Sequence, residues 1–235
     1  MKKKLLLEIS VEASEAAVAA ERGGADRIEL CNDLSVAGLT PQVELLRLVR
    51  QQIQIPIFVM IRPRAGDFVY SPAEFAQMKK SIAAARHAGS SGLVLGILNP
   101  DHTVDLDRTR ELVELAQPLP VTFHRAFDEC TDLSQALEHV VRTGASRILT
   151  SSGAATAPQG AGKIEMLVAA AGGRITIVPG AGINAGNILQ LAAATRAQEF
   201  HSGLSSVLPH GQTDYLRFEK EVRAMVKLLS TLTSE

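Results

Sequence analysis

The 235-residue chain is poor in cysteine, almost without net charge, and free of long apolar runs. Its two cysteines, Cys31 and Cys130, are far apart and show no CxxC spacing. That excludes a disulfide framework and a cysteine metal cluster, and it points to a reducing compartment. A formal net charge of −1 provides no global field to recruit nucleic acid or anionic lipid. The only basic run, Lys2-Lys3-Lys4, reads as a solubilising terminus. No apolar stretch approaches the ~20 residues that span a bilayer. Leu5-Leu6-Leu7 is interrupted at once by Glu8, too early for the apolar region of a signal peptide. These absences predict a cytoplasmic protein with neither a nucleic-acid nor a membrane partner.

What the chain does contain is a hydrophobic fraction of 46% beside 21% charged residues, enough for a sizeable core. Short apolar or β-branched runs alternate with longer amphipathic runs from beginning to end. They predict strands near 5–10, 26–31, 56–62, 91–97, 119–125, 146–151, 175–179 and 197–202. Helices follow each, near 13–22, 41–51, 72–88, 105–116, 131–143, 158–171, 184–194 and 213–229. Ser71-Pro72 and Thr40-Pro41 each offer a capping hydroxyl before a proline at the first helical position. Gly23, Gly89, Gly144 and Gly172 each fall where a helix ends and a left-handed residue is wanted. Four helix ends repeat one phrase of glycine, short polar link and strand, as in Gly144-Ala145-Ser146-Arg147-Ile148. Repeated βα units with no linker or composition break argue for one α/β domain over 1–235, a single (β/α)8 TIM-type barrel. A doubly wound open sheet is the alternative, but no switch in strand order is visible.

The richest stretch is Pro56-Ile57-Phe58-Val59-Met60-Ile61-Arg62-Pro63-Arg64-Ala65-Gly66-Asp67-Phe68. A continuous apolar run, fit for a strand buried on both faces, ends in two arginines and an aspartate on a turn. Val121-Thr122-Phe123-His124-Arg125-Ala126-Phe127-Asp128 repeats the event. Parallel α/β folds build their sites at such carboxyl ends of strands.

Residues two apart on a strand share a face. That alternation groups Leu6, Glu8 and Ser10; Arg27, Glu29 and Cys31; Phe58, Met60 and Arg62; Thr122 and His124; Ile148 and Thr150; and Glu199 and His201. Glu8, Glu29, Arg62, His124, Glu199 and His201 are therefore expected to converge inside the barrel top. A Glu/Arg layer could serve packing alone, but barrel interiors are ordinarily Val, Ile and Leu, and buried charge costs several kcal/mol. Glu199 with His201, or Glu29 with His124, would make a carboxylate–imidazole couple for acid/base work. Arg62, Arg64 and Arg125 could hold a carboxylate or phosphate. Asp67 and Asp128 read first as loop caps, with catalytic base as the alternative. Gly180-Ala181-Gly182 after strand seven and Ser202-Gly203 after strand eight fit an oxyanion subsite, and Thr150-Ser151 could frame a ligand. Bland readings go to His87 and His139 on helix surfaces and to His102 and His210 in solvated loops. Met78 and Met166 are expected to pack helices on the sheet, and Cys130 to fill space.

Glu21-Arg22-Gly23-Gly24-Ala25-Asp26-Arg27-Ile28-Glu29-Leu30-Cys31, residues 58–70, residues 121–128, Ile148-Leu149-Thr150-Ser151 and Glu199-Phe200-His201 together resemble the CutC copper-homeostasis family. The resemblance covers nearly the whole chain. It implies a TIM-like barrel, a cytoplasmic protein participating in copper homeostasis, copper as bound ion, and a homodimer or higher homo-oligomer. Two departures stand out. Ser152-Gly153 replaces a usual glycine pair, and Gly180-Ala181-Gly182 a usual glycine triplet, which makes both loops less permissive. Cu(I) prefers soft thiolate and thioether ligands, and only Cys31, with Met60 and His124 as neighbours, is a candidate. The other residues suit a small anionic metabolite, carboxylated or phosphorylated, and an enzyme whose copper link is indirect. A third reading treats the polar ring as a packing layer without a ligand.

Overall fold

The computed structural model describes residues 4–205, 209 and 213–232. Eight βα units succeed one another: β1 (Leu6–Val11), α1 (Ser14–Gly23), β2 (Arg27–Leu30), α2 (Val43–Gln52), β3 (Ile57–Met60), α3 (Pro72–His87), β4 (Gly92–Leu95), α4 (Leu106–Ala116), β5 (Val121–Phe123), α5 (Leu133–Thr143), β6 (Arg147–Thr150), α6 (Ala161–Ala171), β7 (Thr176–Pro179), α7 (Ile188–Thr195), β8 (Glu199–Ser202) and α8 (Tyr215–Thr231). From β1 to β7 each strand pairs in parallel with the next, and β1 also pairs with β8, Leu6 lying opposite Glu199. β7 and β8 pack side by side, so the sheet is a nearly closed barrel, as the alternation predicts.

Strand periodicity divides the buried residues into two populations. Leu7, Ile9, Ile28, Leu30, Ile57, Val59, Leu93, Leu95, Val121, Phe123, Ile148 and Phe200 join the helices in one continuous apolar shell. The other face of the strands points inward, where Cys31, Phe58, Met60 and Val94 form a small separate apolar cluster. Much of the rest of the interior is charged or polar. Burial of the outer shell is the dominant favourable contribution to the fold, at roughly 25 cal/mol per Å² of apolar surface.

The local signals divide. Ser71 caps α3 with a full capping box, its hydroxyl accepting from the Glu74 amide while Glu74 accepts from the Ser71 amide. Gly89, Gly144 and Gly172 take the left-handed conformation past α3, α5 and α6. At α1 the expectation is off by one: Gly24 turns left-handed, whereas Gly23 stays helical and is a glycine for space, since a Cβ there would strike Val222 of α8. Thr40 does not cap α2, whose N-cap is Gln42. Its hydroxyl instead accepts from the Arg62 amide at 2.8 Å, tying the loop after β2 to the end of β3. Met78 is buried, His87 and His102 are exposed, and His139 is half-buried. Met166 is 71% exposed rather than packed, and His210 lies outside the described residues. No helix among the described residues is long and apolar enough to cross a membrane.

The two places where the chain lacks an expected glycine are both left-handed. Ser152 has φ +58° and Ala181 has φ +81°, a region that costs an L-residue about 1–2 kcal/mol. Ser152 offsets part of this by donating to the Gly160 carbonyl at 3.1 Å, but no side-chain bond compensates Ala181. Ala181→Gly is therefore expected to raise the unfolding free energy by about 1 kcal/mol in urea titrations.

Candidate functional site

The barrel interior is built in tiers. At the lower end Arg27, Arg147 and Glu199 are the first residues of β2, β6 and β8. Glu199 Oε2 accepts from Arg27 Nη2 at 2.8 Å and from Arg147 Nε at 2.9 Å. The two guanidiniums lie 4.6 and 5.1 Å from the Phe58 ring centroid. One step up, Glu8 of β1 accepts from Arg27 Nε and pairs through its other oxygen with His201 Nδ1 at 2.7 Å. Beside that pair stands Glu29, whose Oε1 accepts from the Cys31 thiol at 3.3 Å and whose buried Oε2 has no partner. Above it opens a cavity of about 710 Å³ at the carboxyl ends of the strands.

Three carboxyl groups face two guanidiniums in this column, so one negative charge is left over when His201 is neutral. Burial pushes the Glu29 carboxyl up, against the pull of His201. Burial also works against a charged His201, but Glu29 and Glu8 outweigh it and hold the imidazole above its usual value. Both shifts favour the protonated form, and the two groups bring ligand atoms within 4.8 Å of each other. Glu8 goes the other way. Burial disfavours its charge, yet Arg27 and His201 bring its carboxyl down to about 2.

The opposite wall carries donors. Arg62, 5% exposed, gives Nη1 to the Val36 and Gly38 carbonyls at 2.7 and 3.1 Å and Nη2 to the Gly66 carbonyl at 2.9 Å. Its Nε has no partner, and no carboxylate pairs with it among the described residues. Phe68 lies between it and His124, 4.9 Å from the guanidinium carbon and 4.8 Å from the imidazole centroid. Burial, and next the Arg62 charge, depress His124 to about 3.

Among the expected site residues, Glu29, Arg62, His124, Arg125, Asp128, Gly182, His201, Ser202 and Gly203 line this one cavity. Others stand elsewhere. Glu199 does not line it, because it opens its strand at the lower end of the barrel and borders a separate 230 Å³ cavity there. The imidazole couple accordingly forms with Glu8, not Glu199, while Glu29 is turned to Cys31 and His124 to the Ala126 amide. Arg64 leaves the site: Asp67, Glu74 and three backbone carbonyls around residues 65–69 take its donors. Asp67 is the loop cap expected of it, accepting from the Val69 amide at 3.0 Å.

Asp128 borders the cavity but is consumed as a clamp. It accepts from Arg125 Nε, the Thr150 and Ser151 hydroxyls and the Ser151 and Gly153 amides, which leaves no oxygen for a base. Thr150 and Ser151 thus fix the rim without reaching the ligand space, and β6 is registered with Arg147 and Leu149 inward rather than Ile148 and Thr150. Gly180 also stays outside, where a Cβ would collide with Leu149. Cys31 is fully buried and does not line the cavity, and burial, then Glu29, pushes its thiol well above the ordinary range. Ser10, Met60, Phe68, Leu149 and Asn184 also line the cavity. Periodicity could have supplied Ser10 and Met60; nothing local in the sequence marks the loop residues.

Comparisons with known proteins now bear on this geometry. A family model described as the CutC family matches residues 5–206. The chain belongs to the CutC family. It is 44% identical over 225 residues to the human copper homeostasis protein cutC homolog, an alignment covering 96% of this chain and 81% of that protein. A CutC family protein of Chromobacterium violaceum is 47% identical over 197 residues, covering 84% and 80%. A solved CutC structure from Streptococcus agalactiae superposes with a TM-score of 0.79 at 32% identity, covering 85% of this chain and 98% of that one. A Thermotoga maritima phosphoribosylanthranilate isomerase, 14% identical with a TM-score of 0.64 and covering 97% and 99%, shares the fold alone. The family's copper name meets few soft donors. Glu8, Glu29 and His201 bring ligand atoms within 4.8 Å of one another, but two are hard carboxylates beside one borderline imidazole, and both Glu8 oxygens are engaged.

The column makes a pH-dependent prediction. A carboxyl lowered from 4.5 to about 2 stabilises the fold above pH 4.5 and loses that contribution as pH falls toward 2. Glu8→Gln is expected to lower stability by about 3–5 kcal/mol at pH 7, since it leaves Arg27 and His201 short of a buried partner. The gap to wild type narrows in urea unfolding at pH 3.

Proposed function

We propose that the protein is an enzyme that performs acid/base chemistry on a small anionic metabolite, carboxylated or phosphorylated, held in the mouth of the barrel. The observation that carries this reading is Arg62, a buried guanidinium neutralised by carbonyl dipoles alone and facing the same cavity as the Glu29 and His201 floor. A cation so placed attracts an anion, and the planar fork of arginine suits carboxylate and phosphate. The Glu29–His201 pair, with His201 oriented by Glu8, carries one proton between its two members and so supplies both the base and the acid. Arg125, 41% exposed at its side chain, adds a second cation at the rim, and Gly182 and Gly203 allow close approach of backbone amides. Two unbridged cysteines support a cytoplasmic setting, and family resemblance supports self-association.

Thermal melts with a panel of small carboxylates and phosphates check the reading. At least one anion is expected to stabilise the wild type. Arg62→Lys is expected to weaken that anion about 10–100-fold, the value of a charged hydrogen bond, and Arg125→Ala less. Arg125→Ala also covers the case in which Arg62 variants unfold. If no anion raises the melting temperature of the wild type, the reading fails.

A second reading, direct binding of copper as cargo, is favoured by the relatives' printed names and by the Cys31 and Met60 sulfurs sharing one cluster. Because the thiol is held protonated, Cu(I) uptake there would release a proton and tighten as pH rises. An anaerobic Cu(I) competition titration at pH 6 and 8 is expected, on this reading, to give one-to-one binding that Cys31→Ser weakens. Affinity indifferent to both pH and Cys31 removes it.

A further inference from the structure

His124 is arranged differently from every other donor in the cavity. It follows β5 and caps the short 3-10 turn Arg125–Glu129, its Nδ1 accepting from the Ala126 amide at 3.2 Å. An acceptor at Nδ1 places the ring proton of a neutral imidazole on Nε2. That Nε2 is buried and has no partner, although the residue lines the cavity wall. An unmet N–H of this kind costs about 1–3 kcal/mol. The chain nevertheless makes room for it: a Cβ at Gly96 of the neighbouring β4 end would lie 2.6 Å from Nδ1 and 2.7 Å from Cε1. Phe68 packs against the ring, and the Arg62 charge two strands away opposes a second proton. The ring is therefore fixed as a neutral donor next to a cation, across the cavity from the base.

Resting on the acid/base reading of the cavity, we infer that His124 Nε2–H is the electrophilic donor of the site. The substrates it implies are small anions in which a carbonyl adjoins an acidic C–H. The base on the Glu8–His201 side removes the proton from the carbon beside the carbonyl. The C–H electron pair becomes the new C=C bond, and the carbonyl π pair moves onto oxygen. His124 Nε2–H donates a hydrogen bond to that oxygen as its charge develops, the point at which a preorganised donor lowers the barrier most. Return of the proton to carbon closes the cycle, with no oxidant, reductant or covalent enzyme adduct. A neutral imidazole serves this role because it donates without surrendering its proton to the oxygen. Among the described residues that line the cavity none is a lysine, so a Schiff base is not the route these side chains offer.

Two measurements test the inference on the full-length protein. The first is ¹⁵N NMR of the histidines, which is expected to show His124 neutral at pH 6 with its proton on Nε2. A proton on Nδ1 overturns the assignment before any substrate is known. The second is solvent exchange of C–H protons in D₂O, followed by ¹H NMR, with pyruvate and dihydroxyacetone phosphate as probes. The wild type is expected to accelerate exchange of at least one probe. His124→Ala should slow it about 100-fold, the cost of one oxyanion donor, while anion-induced thermal stabilisation persists. His124→Gln, which keeps an N–H donor, is expected to recover part of the rate and guards against an unfolded alanine variant. Equal rates in wild type and His124→Ala overturn the inference, as does anion stabilisation without exchange of either probe; neither result touches the anion site. Loss of anion stabilisation in the wild type would take both down.

Discussion

The ion column through the barrel axis is the constraint on which the rest of the site depends. Arg27 binds Glu8 and Glu199, Glu199 binds Arg147, and Glu8 orients His201. Each of these ions, removed from water alone, would cost several kcal/mol, so none is tolerable without the next. Phe58 packs against both guanidiniums of the lower tier. A barrel interior of Val, Ile and Leu would pack as well and hold nothing. Here the column leaves one carboxylate charge over, and it falls at the cavity floor, where Glu29 and His201 are both shifted toward holding a proton. The floor is polar because of the layer beneath it, not because solvent reaches it.

Two clamps give the rim comparable rigidity. Arg62 draws the Val36, Gly38 and Gly66 carbonyls together, which joins the loop after β2 to its own loop after β3. Asp128 gathers the Thr150 and Ser151 hydroxyls and the amides of Ser151 and Gly153, joining the turn after β5 to the loop after β6. Both use charge-assisted bonds to backbone or short hydroxyls, so the side chains that remain free are held by neighbours that cannot easily yield. Gly38 serves the same end. Its left-handed φ of +88° lets the backbone cross within reach of Cys31, where a Cβ would lie 2.9 Å from the sulfur.

Most of the fold was legible because its signals are local. Eight apolar runs, each followed by an amphipathic run, dictate eight βα units, and the capping box at Ser71 marks its helix from four residues. The inward set was legible wherever a strand's phase was unambiguous, as for Glu8, Glu29, Arg62, His124 and His201. It failed at β6, where Ile148 and Thr150 were the expected inward pair and Arg147 and Leu149 take that face. It failed again on height: Glu199 and His201 share a face, yet they sit a full pleat repeat apart along the barrel axis, so only one reaches the mouth. Which carboxylate meets which base is set by strand stagger, a property of the closed barrel that no single segment encodes. Arg64 was misplaced for a related reason. Its partners Glu74 and Asp67 lie close in sequence, but whether a loop arginine turns to them or to the cavity depends on the path of the loop.

The two histidines of the cavity show what the column and the clamps accomplish together. They are the same side chain in the same cavity, both almost fully buried, and burial alone would drive both neutral. His124 obeys that rule, with Arg62 beside it and only a backbone amide to meet, and it is left as a donor that does not titrate near neutrality. His201 breaks the rule, because Glu29 and Glu8 repay the desolvation and hold the proton. Groups of one chemical type driven apart by their surroundings are the usual sign of a division of labour between proton transfer and charge stabilisation. In this barrel the division follows the strands: carboxylates on β1 and β2 face the imidazole of β8, while the arginine and the neutral imidazole follow β3 and β5. On the proposed reading, a ligand between them would meet a proton carrier on one side and fixed positive dipoles on the other. A layer that served packing alone would have no reason to keep those two halves apart.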